Sequence, residues 1–318
     1  MLSIGDYVRR FTSPFALMLA MFAPAAWSQS VDTGGVNPDR GVQSKPMFSA
    51  VESRGQYLFR VSGCLTCHTK AAEGAVPLAG GRVLKTPFGE FYSPNITSHP
   101  EDGIGRWQLE DFRTALRDGV APDGRDYYPV FPYTSYTRMR DTDIADLFAY
   151  LRSVEPAAVA NTKHDIPWFV QWRFLNWLWK LVFFDGGVYA PDSNQSASWN
   201  RGAYVSSALA HCSECHSPRG SLSGAVDAEL AMSGAVDGPE GEPAPNITPD
   251  AETGIGAWDK IDLTAYLETG ETPDGDYAGG LMAEVIDNGL LFLTTSDRDA
   301  LVEYLSTLAP IHRPELAH

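Results

Sequence analysis

Leu109, Phe112 and Leu116 recur three and four residues apart in QLEDFRTALRDG, with mostly polar or charged residues between them. That spacing predicts a helix with one buried stripe, stopped by Gly119. Ile144, Leu147, Phe148 and Leu151 in DTDIADLFAYLRS fall at i, i+3, i+4 and i+7 and predict another. Near the end, Leu301, Leu305 and Leu308 line a third stripe, and Ser296 with Asp299 has the spacing of a capping box at its start. SAVESRGQYLFRVS predicts a further helix. The segments between are rich in Gly and Pro and show no strand alternation. The pattern predicts an all-α chain of short helices joined by long loops.

One stretch is denser. In IPWFVQWRFLNWLWKLVFFDGG, Trp168, Trp172, Leu175, Trp179 and Val182 follow a helical stripe, with Arg173, Asn176 and Lys180 elsewhere. Polar residues interrupt it, and it is barely long enough to span a bilayer. An aromatic stripe generally marks core, which makes this stretch an interdomain brace. The sharper reading is a helix lying on a membrane surface or a partner, since Trp with Lys and Arg suits an interface.

The chain repeats itself around that stretch. Pro94, Asn95, Ile96 and Thr97 recur as Pro245, Asn246, Ile247 and Thr248. Gly103, Ile104, Gly105 and Trp107 recur as Gly254, Ile255, Gly256 and Trp258, again 151 positions on (258 minus 107). RGQYL at Arg54 has its echo in RGAYV at Arg201. The expected organisation is two tandem domains at 45–156 and 193–312, joined by the Trp-rich helical linker at 157–192.

The first 30 residues change the setting. Arg9 and Arg10 precede an apolar run from Phe15 to Ala23, with small residues at Ala25, Ala26 and Ser28. This predicts a signal peptide at 1–28 and a periplasmic protein; the alternative is an uncleaved N-terminal anchor. A net charge of −16 excludes nucleic acid as a natural partner and suits the steering of a basic one.

An exported chain usually spends its cysteines on disulfides. This one has four, in two close pairs, each followed by histidine: Cys64, Cys67 and His68, then Cys212, Cys215 and His216. A redox pair does not need the histidine. A zinc ribbon sets its two pairs about 15–20 residues apart, whereas these are separated by most of a domain. Covalent haem attachment uses every atom of the motif. Residues three apart share one helical face, so both thiols reach the vinyl groups on one porphyrin edge. The following imidazole is then the proximal iron ligand.

The sixth ligands are less direct. In the second repeat Met282 in GGLMAEVIDNG is favoured over Met232; in the first, Met139 in YPVFPYTSYTRMRD is the candidate. His99, His164 and His211 are the alternatives for an all-nitrogen site, while His312 and His318 lie in the tail. Asn95, Trp107, Asn246 and Trp258 are candidates for the haem edges, where an indole N–H would serve a propionate. The competing reading of this loop is a conformational lock in which Asn and Thr bond their own backbone.

The run SPNIT…GIGRW…ALRDGV.PDGR..YPVFPYTSYTRM.D.DIADLFAYL, followed by WNRGAYV…HCSECHSPRG…NITPDAETGIGAW, resembles the cytochrome c subunit of bacterial membrane-bound alcohol, aldehyde and sugar-acid dehydrogenases. The likeness covers nearly all of the chain after the leader. It implies class I cytochrome c domains with two covalently bound haems. It also implies electron transfer from a partner dehydrogenase to quinone, another cytochrome or a terminal oxidase. The chain departs from the family in having two haem motifs where many members have three. It also has Phe131 where some members have methionine within YP.MPY; Met282 matches the family's ligand position. The rival expectation is a dihaem enzyme, of the peroxidase or thiosulfate-oxidising kind, with one labile haem.

Overall fold

The computed structural model describes residues 50–316. The leader read at 1–28, the domain start at 45 and His318 lie outside them. Helix α1 (Ala50–Val61) meets Gly63, whose φ of 66° turns the chain into α2 (Cys64–His68). Two short strands follow, β1 (Val83–Thr86) and β2 (Gly89–Tyr92), then α3 (Leu109–Asp118), α4 (Tyr133–Tyr136) and α5 (Asp141–Ser153). The linker carries α6 (Phe174–Phe183). In the second repeat α7 (Ala197–Tyr204) runs on as a π turn over Val205–Leu209, and a 3-10 turn spans Cys212–Glu214. Then come α8 (Lys260–Thr269), α9 (Gly280–Asn288) and α10 (Thr295–Leu305).

Local chemistry sets the helix ends. Asp111 accepts from the Gln108 amide at the start of α3, and Asp262 accepts from the Asp259 amide at the start of α8. Gly119 and Gly270 close these helices at φ 61° and 79°, which only glycine adopts cheaply. The capping box expected at Ser296 is not formed. Thr294, two residues earlier, is the cap of α10 and accepts from the Asp297 amide, so Ser296 already lies inside the helix.

In each repeat the first helix crosses the last at a glycine. A β-carbon on Gly55 would lie 2.1 Å from the Asp146 carbonyl oxygen, and one on Gly202 would lie 1.9 Å from that of Ala300. The helices therefore touch backbone to backbone. Around these crossings Leu58, Ile144, Leu147 and Leu151 are continuous with Tyr204, Val205, Leu209, Leu301 and Leu305 in one buried core that runs through both repeats.

The repeats are also clasped reciprocally. Arg54 binds Asp143 within the first repeat, and Arg201 binds Asp297 within the second, at 2.6 and 2.7 Å. The tyrosine three residues after each arginine crosses over. The Tyr57 hydroxyl donates to Asp297, and the Tyr204 hydroxyl donates to Asp143.

Two features depart from the sequence reading. First, β1 and β2 form an antiparallel hairpin, Val83 opposite Tyr92 and Thr86 opposite Gly89. It is extended by paired backbone bonds between Glu90 and Asp165 of the linker, and Phe91, Tyr128 and Ile166 form a small core beneath it. Second, the linker stripe is not buried as a unit. The chain turns after Pro167 and α6 begins only at Phe174, so the long stripe is broken. Trp168, Trp172 and Val182 are exposed, as are Phe174, Trp177 and Leu181. The inward face is Asn176, Trp179 and Lys180. The Trp179 indole donates to the Ser223 carbonyl at 2.8 Å, and the Lys180 ammonium donates to the carbonyls of Asp118 and Gly119 at the end of α3. Among the described residues no helix is long and apolar enough to cross a membrane.

Candidate functional site

Each Cys-x-x-Cys-His motif sits where its repeat's first helix ends. His68 follows Cys67 at the close of α2, and its Nδ1 lies 2.8 Å from the Pro94 carbonyl oxygen. His216 lies the same 2.8 Å from the Pro245 oxygen. A carbonyl only accepts, so each imidazole carries its proton on Nδ1 and leaves Nε2 bare. That is how a protein fixes the tautomer of a metal-ligating histidine. Burial lowers the pKa of both rings against the opposing pull of the carbonyl, which keeps them neutral and able to ligate.

The carbonyls are held in turn by the repeated loop. Asn95 is 2% exposed and its amide is fully used: it donates to the Ala157 and Val159 carbonyls and accepts from the amide and hydroxyl of Thr97. Asn246 donates to Thr253 Oγ1 and the Ile311 carbonyl and accepts from Thr248 in the same way. The sequence offered these asparagines both as haem-edge residues and as a conformational lock; their bonds form the lock, in the turn that presents the proline carbonyl. Trp107 and Trp258 are half-buried against the main core.

The four cysteines are unpaired. Burial pushes the Cys64 and Cys215 thiols up to about 12, and raises Cys67 and Cys212 as well. A redox cysteine needs the opposite shift. Among the described residues no group of three or more His, Cys, Asp or Glu side chains converges as a metal cage. The donor set suits a haem in each repeat: two neutral thiols one helical turn apart, followed by an imidazole with a free Nε2.

The cytochrome c family pattern matches residues 52–155 and again 200–309. The chain belongs to the cytochrome c family. The cytochrome is 36% identical over 311 residues to a diheme cytochrome c-type protein of Cereibacter sphaeroides, covering 95% of this chain and 99% of that one. It is 40% identical over 258 residues to the fructose dehydrogenase cytochrome subunit of Gluconobacter japonicus, covering 80% of this chain and 52% of the relative. It is 36% identical over 269 residues to the gluconate 2-dehydrogenase cytochrome c subunit of Pantoea cypripedii, covering 81% and 60%. The chain thus spans little more than half of these dehydrogenase subunits, and nearly the whole diheme protein.

The remaining sulfur and imidazole groups of the cytochrome fall as follows. Met282 is half-buried on α9, against the main core. Met232 is 5% exposed and stands where the first repeat has Leu78. Both have left-handed φ, 66° and 62°, and both carbonyls accept from the isoleucine amide of the repeated loop at 2.9 Å. Met139 is wholly buried just before α5, at the place that Leu293 takes before α10. His99 Nδ1 accepts from the Asp102 amide, and His164 Nδ1 from the Tyr92 amide beside the hairpin core. His312 lies 3.3 Å from Asp250.

The two motifs are held by each other's repeats. Thr66, between Cys64 and Cys67, accepts from the Asn288 amide of α9 at 3.2 Å. Glu214, between Cys212 and Cys215, accepts from the hydroxyls of Thr134 and Ser135 of α4 at 2.5 and 2.9 Å. His211 Nε2 lies 3.6 Å from where a β-carbon on Gly63 would stand, and its ring packs edge-on against Tyr136 at 5.4 Å.

Sequence reasoning missed Arg82. It is 7% exposed, reaches the Thr66 carbonyl, and pairs with Glu284 at 2.5 Å and Glu240 at 3.3 Å in the other repeat. Those partners are 202 and 158 residues away, so no local pattern marks the arginine.

Proposed function

We propose that the chain is a periplasmic dihaem cytochrome c that passes single electrons from a partner dehydrogenase to a downstream acceptor, which is quinone, another cytochrome or a terminal oxidase. Cys64 and Cys67 hold one haem with His68 as proximal ligand; Cys212 and Cys215 hold the other with His216. Met282 is the sulfur ligand of the second. Bound haem supplies one-electron chemistry; the protein supplies ligands, enclosure and separation.

The observation that carries this reading is the mutual grip of the attachment turns. Thr66 is tied to α9 and Glu214 to α4, so the two sites are built into one interface rather than suspended on separate domains. Such an arrangement suits relay between two fixed centres. Asn95 and Asn246 act as positioning residues, and Trp107 and Trp258 close the haem edges. The exposed aromatic face of the linker is the surface offered for peripheral contact with a membrane or the dehydrogenase. The names of the fructose and gluconate dehydrogenase subunits support a dehydrogenase as donor.

The test is the mass and redox titration of the exported protein, followed by mixing with a reduced dehydrogenase. Two added haem masses and reduction within turnover time are expected. A chain with no added macrocycle, or one that a dehydrogenase cannot reduce, overturns the reading. The rival dihaem enzyme requires a labile sixth position, and the first repeat carries Phe131 where the second carries Met282.

A further inference from the structure

The two repeats can be laid over one another hydrogen bond by hydrogen bond up to their sixth-ligand segments. The isolated bridges Val120–Asp126 and Glu271–Tyr277 are 151 residues apart at both ends (271 minus 120, 277 minus 126). The Tyr127 amide donates to the Gly119 carbonyl at 2.8 Å, and the Ala278 amide donates to that of Gly270, also at 2.8 Å. Four residues beyond Tyr127 stands Phe131; four beyond Ala278 stands Met282. Both are half-buried against the same core.

Counting back from the last helices gives the same answer. Asp143 and Asp297 receive the paired arginines, and Arg140 and Thr294 are the helix caps. Met139 and Leu293 therefore correspond, and the carbonyl of each accepts from an arginine, Arg117 and Arg298 respectively. Met139 fills a core position, and Phe131 fills the ligand position. The Phe131 ring lies among Tyr127, Tyr136 and Tyr133, with centroids 5.5, 5.8 and 6.4 Å away. The Tyr136 hydroxyl is already spent on the Ser62 carbonyl at 2.7 Å.

We propose that the haem attached through Cys64, Cys67 and His68 has an open sixth position, because Phe131 replaces the methionine found at Met282, and that it binds uncharged diatomic ligands of ferrous iron such as carbon monoxide or nitric oxide. This rests on the reading of both motifs as haem attachment sites. An aromatic wall suits an uncharged diatomic better than an anion, which would be desolvated there without a partner. The other haem keeps its methionine and its electron-transfer role.

The experiment uses the full-length holoprotein, shown by mass to carry two haems, reduced and exposed to carbon monoxide. About half of the haem absorbance is expected to shift, since one iron is open and one is closed by sulfur. Phe131→Met should abolish that reactivity and strengthen the far-red sulfur-to-ferric-iron band. Met139→Leu, which installs the residue of the equivalent position, should leave the reactive fraction unchanged. A doubly loaded wild-type protein that ignores carbon monoxide overturns the proposal, as does a Phe131→Met variant that still reacts. Inert wild type together with reactive Met139→Leu would make Met139 the ligand. A chain without haem fails the attachment reading itself, which separates the two outcomes.

Discussion

The Tyr204 hydroxyl of the second repeat lies 2.5 Å from Asp143 Oδ2 of the first, a carboxylate with no exposed surface. The same hydroxyl accepts from the Arg140 amide at 3.0 Å. Removing it by Tyr204→Phe takes one bond from a buried charge, and such bonds are worth about 1.5–3 kcal/mol. Urea unfolding should show a loss in that range with a single transition retained. A loss of only a few tenths would mean the clasp carries no weight.

Asp297 gives the clasp a pH dependence. Burial pushes its carboxyl up, but hydrogen bonds from Arg201 and Tyr57 and the charge of Arg201 outweigh that and hold the pKa below the ordinary value. A carboxyl depressed in the folded state contributes fully above its unfolded pKa of about 3.9, and the contribution disappears as pH falls through the lower folded value. Melting temperatures measured against pH should therefore separate wild type from Asp297→Asn at neutral pH. The two curves should converge below about pH 4.

The repeated cytochrome c domain and the stripes of α3 and α5 were legible because each is a local pattern: an echo or a period. The hairpin was not, since VLKT and GEFY are too short to alternate and are pinned by Asp165, far along the chain. Arg82 and the crossed tyrosines were hidden for the same reason, their partners lying in the other repeat. The linker misled because its aromatic period continues through residues that turn before the helix begins.

Met282→Ala should open the second iron. The variant is expected to gain carbon monoxide binding at that haem and to lose potential there, since thioether ligation favours the ferrous state. Redox titration and ligand-difference spectra read both. An unchanged midpoint would remove Met282 from the iron.

Asn246→Ala deletes an amide with partners on both sides, 2% exposed. Leaving those groups unpaired should cost about 2–4 kcal/mol. Because the loop presents the Pro245 carbonyl to His216, haem retention in the second repeat should fall with stability. Retention equal to wild type in a destabilised variant would uncouple the loop from the ligand.

Trp258→Phe keeps an aromatic ring beside Tyr266, with centroids 5.3 Å apart in the native pair, and removes the indole N–H together with the fused five-membered ring. If the indole serves the second haem's edge, the midpoint of that haem should shift by more than a packing loss alone produces, with unfolding followed alongside to read the lost ring volume. No change in midpoint or retention would leave the tryptophan a purely packing role.

The crossings at Gly55 and Gly202 reach further than their distance from the cysteines suggests. Each lies on the rod that ends in an attachment turn, so a methyl group there would pry the rods apart and displace the thiols at the far end. Damage of this kind would surface as incomplete haem attachment, a polypeptide recovered pale, together with a lowered melting temperature.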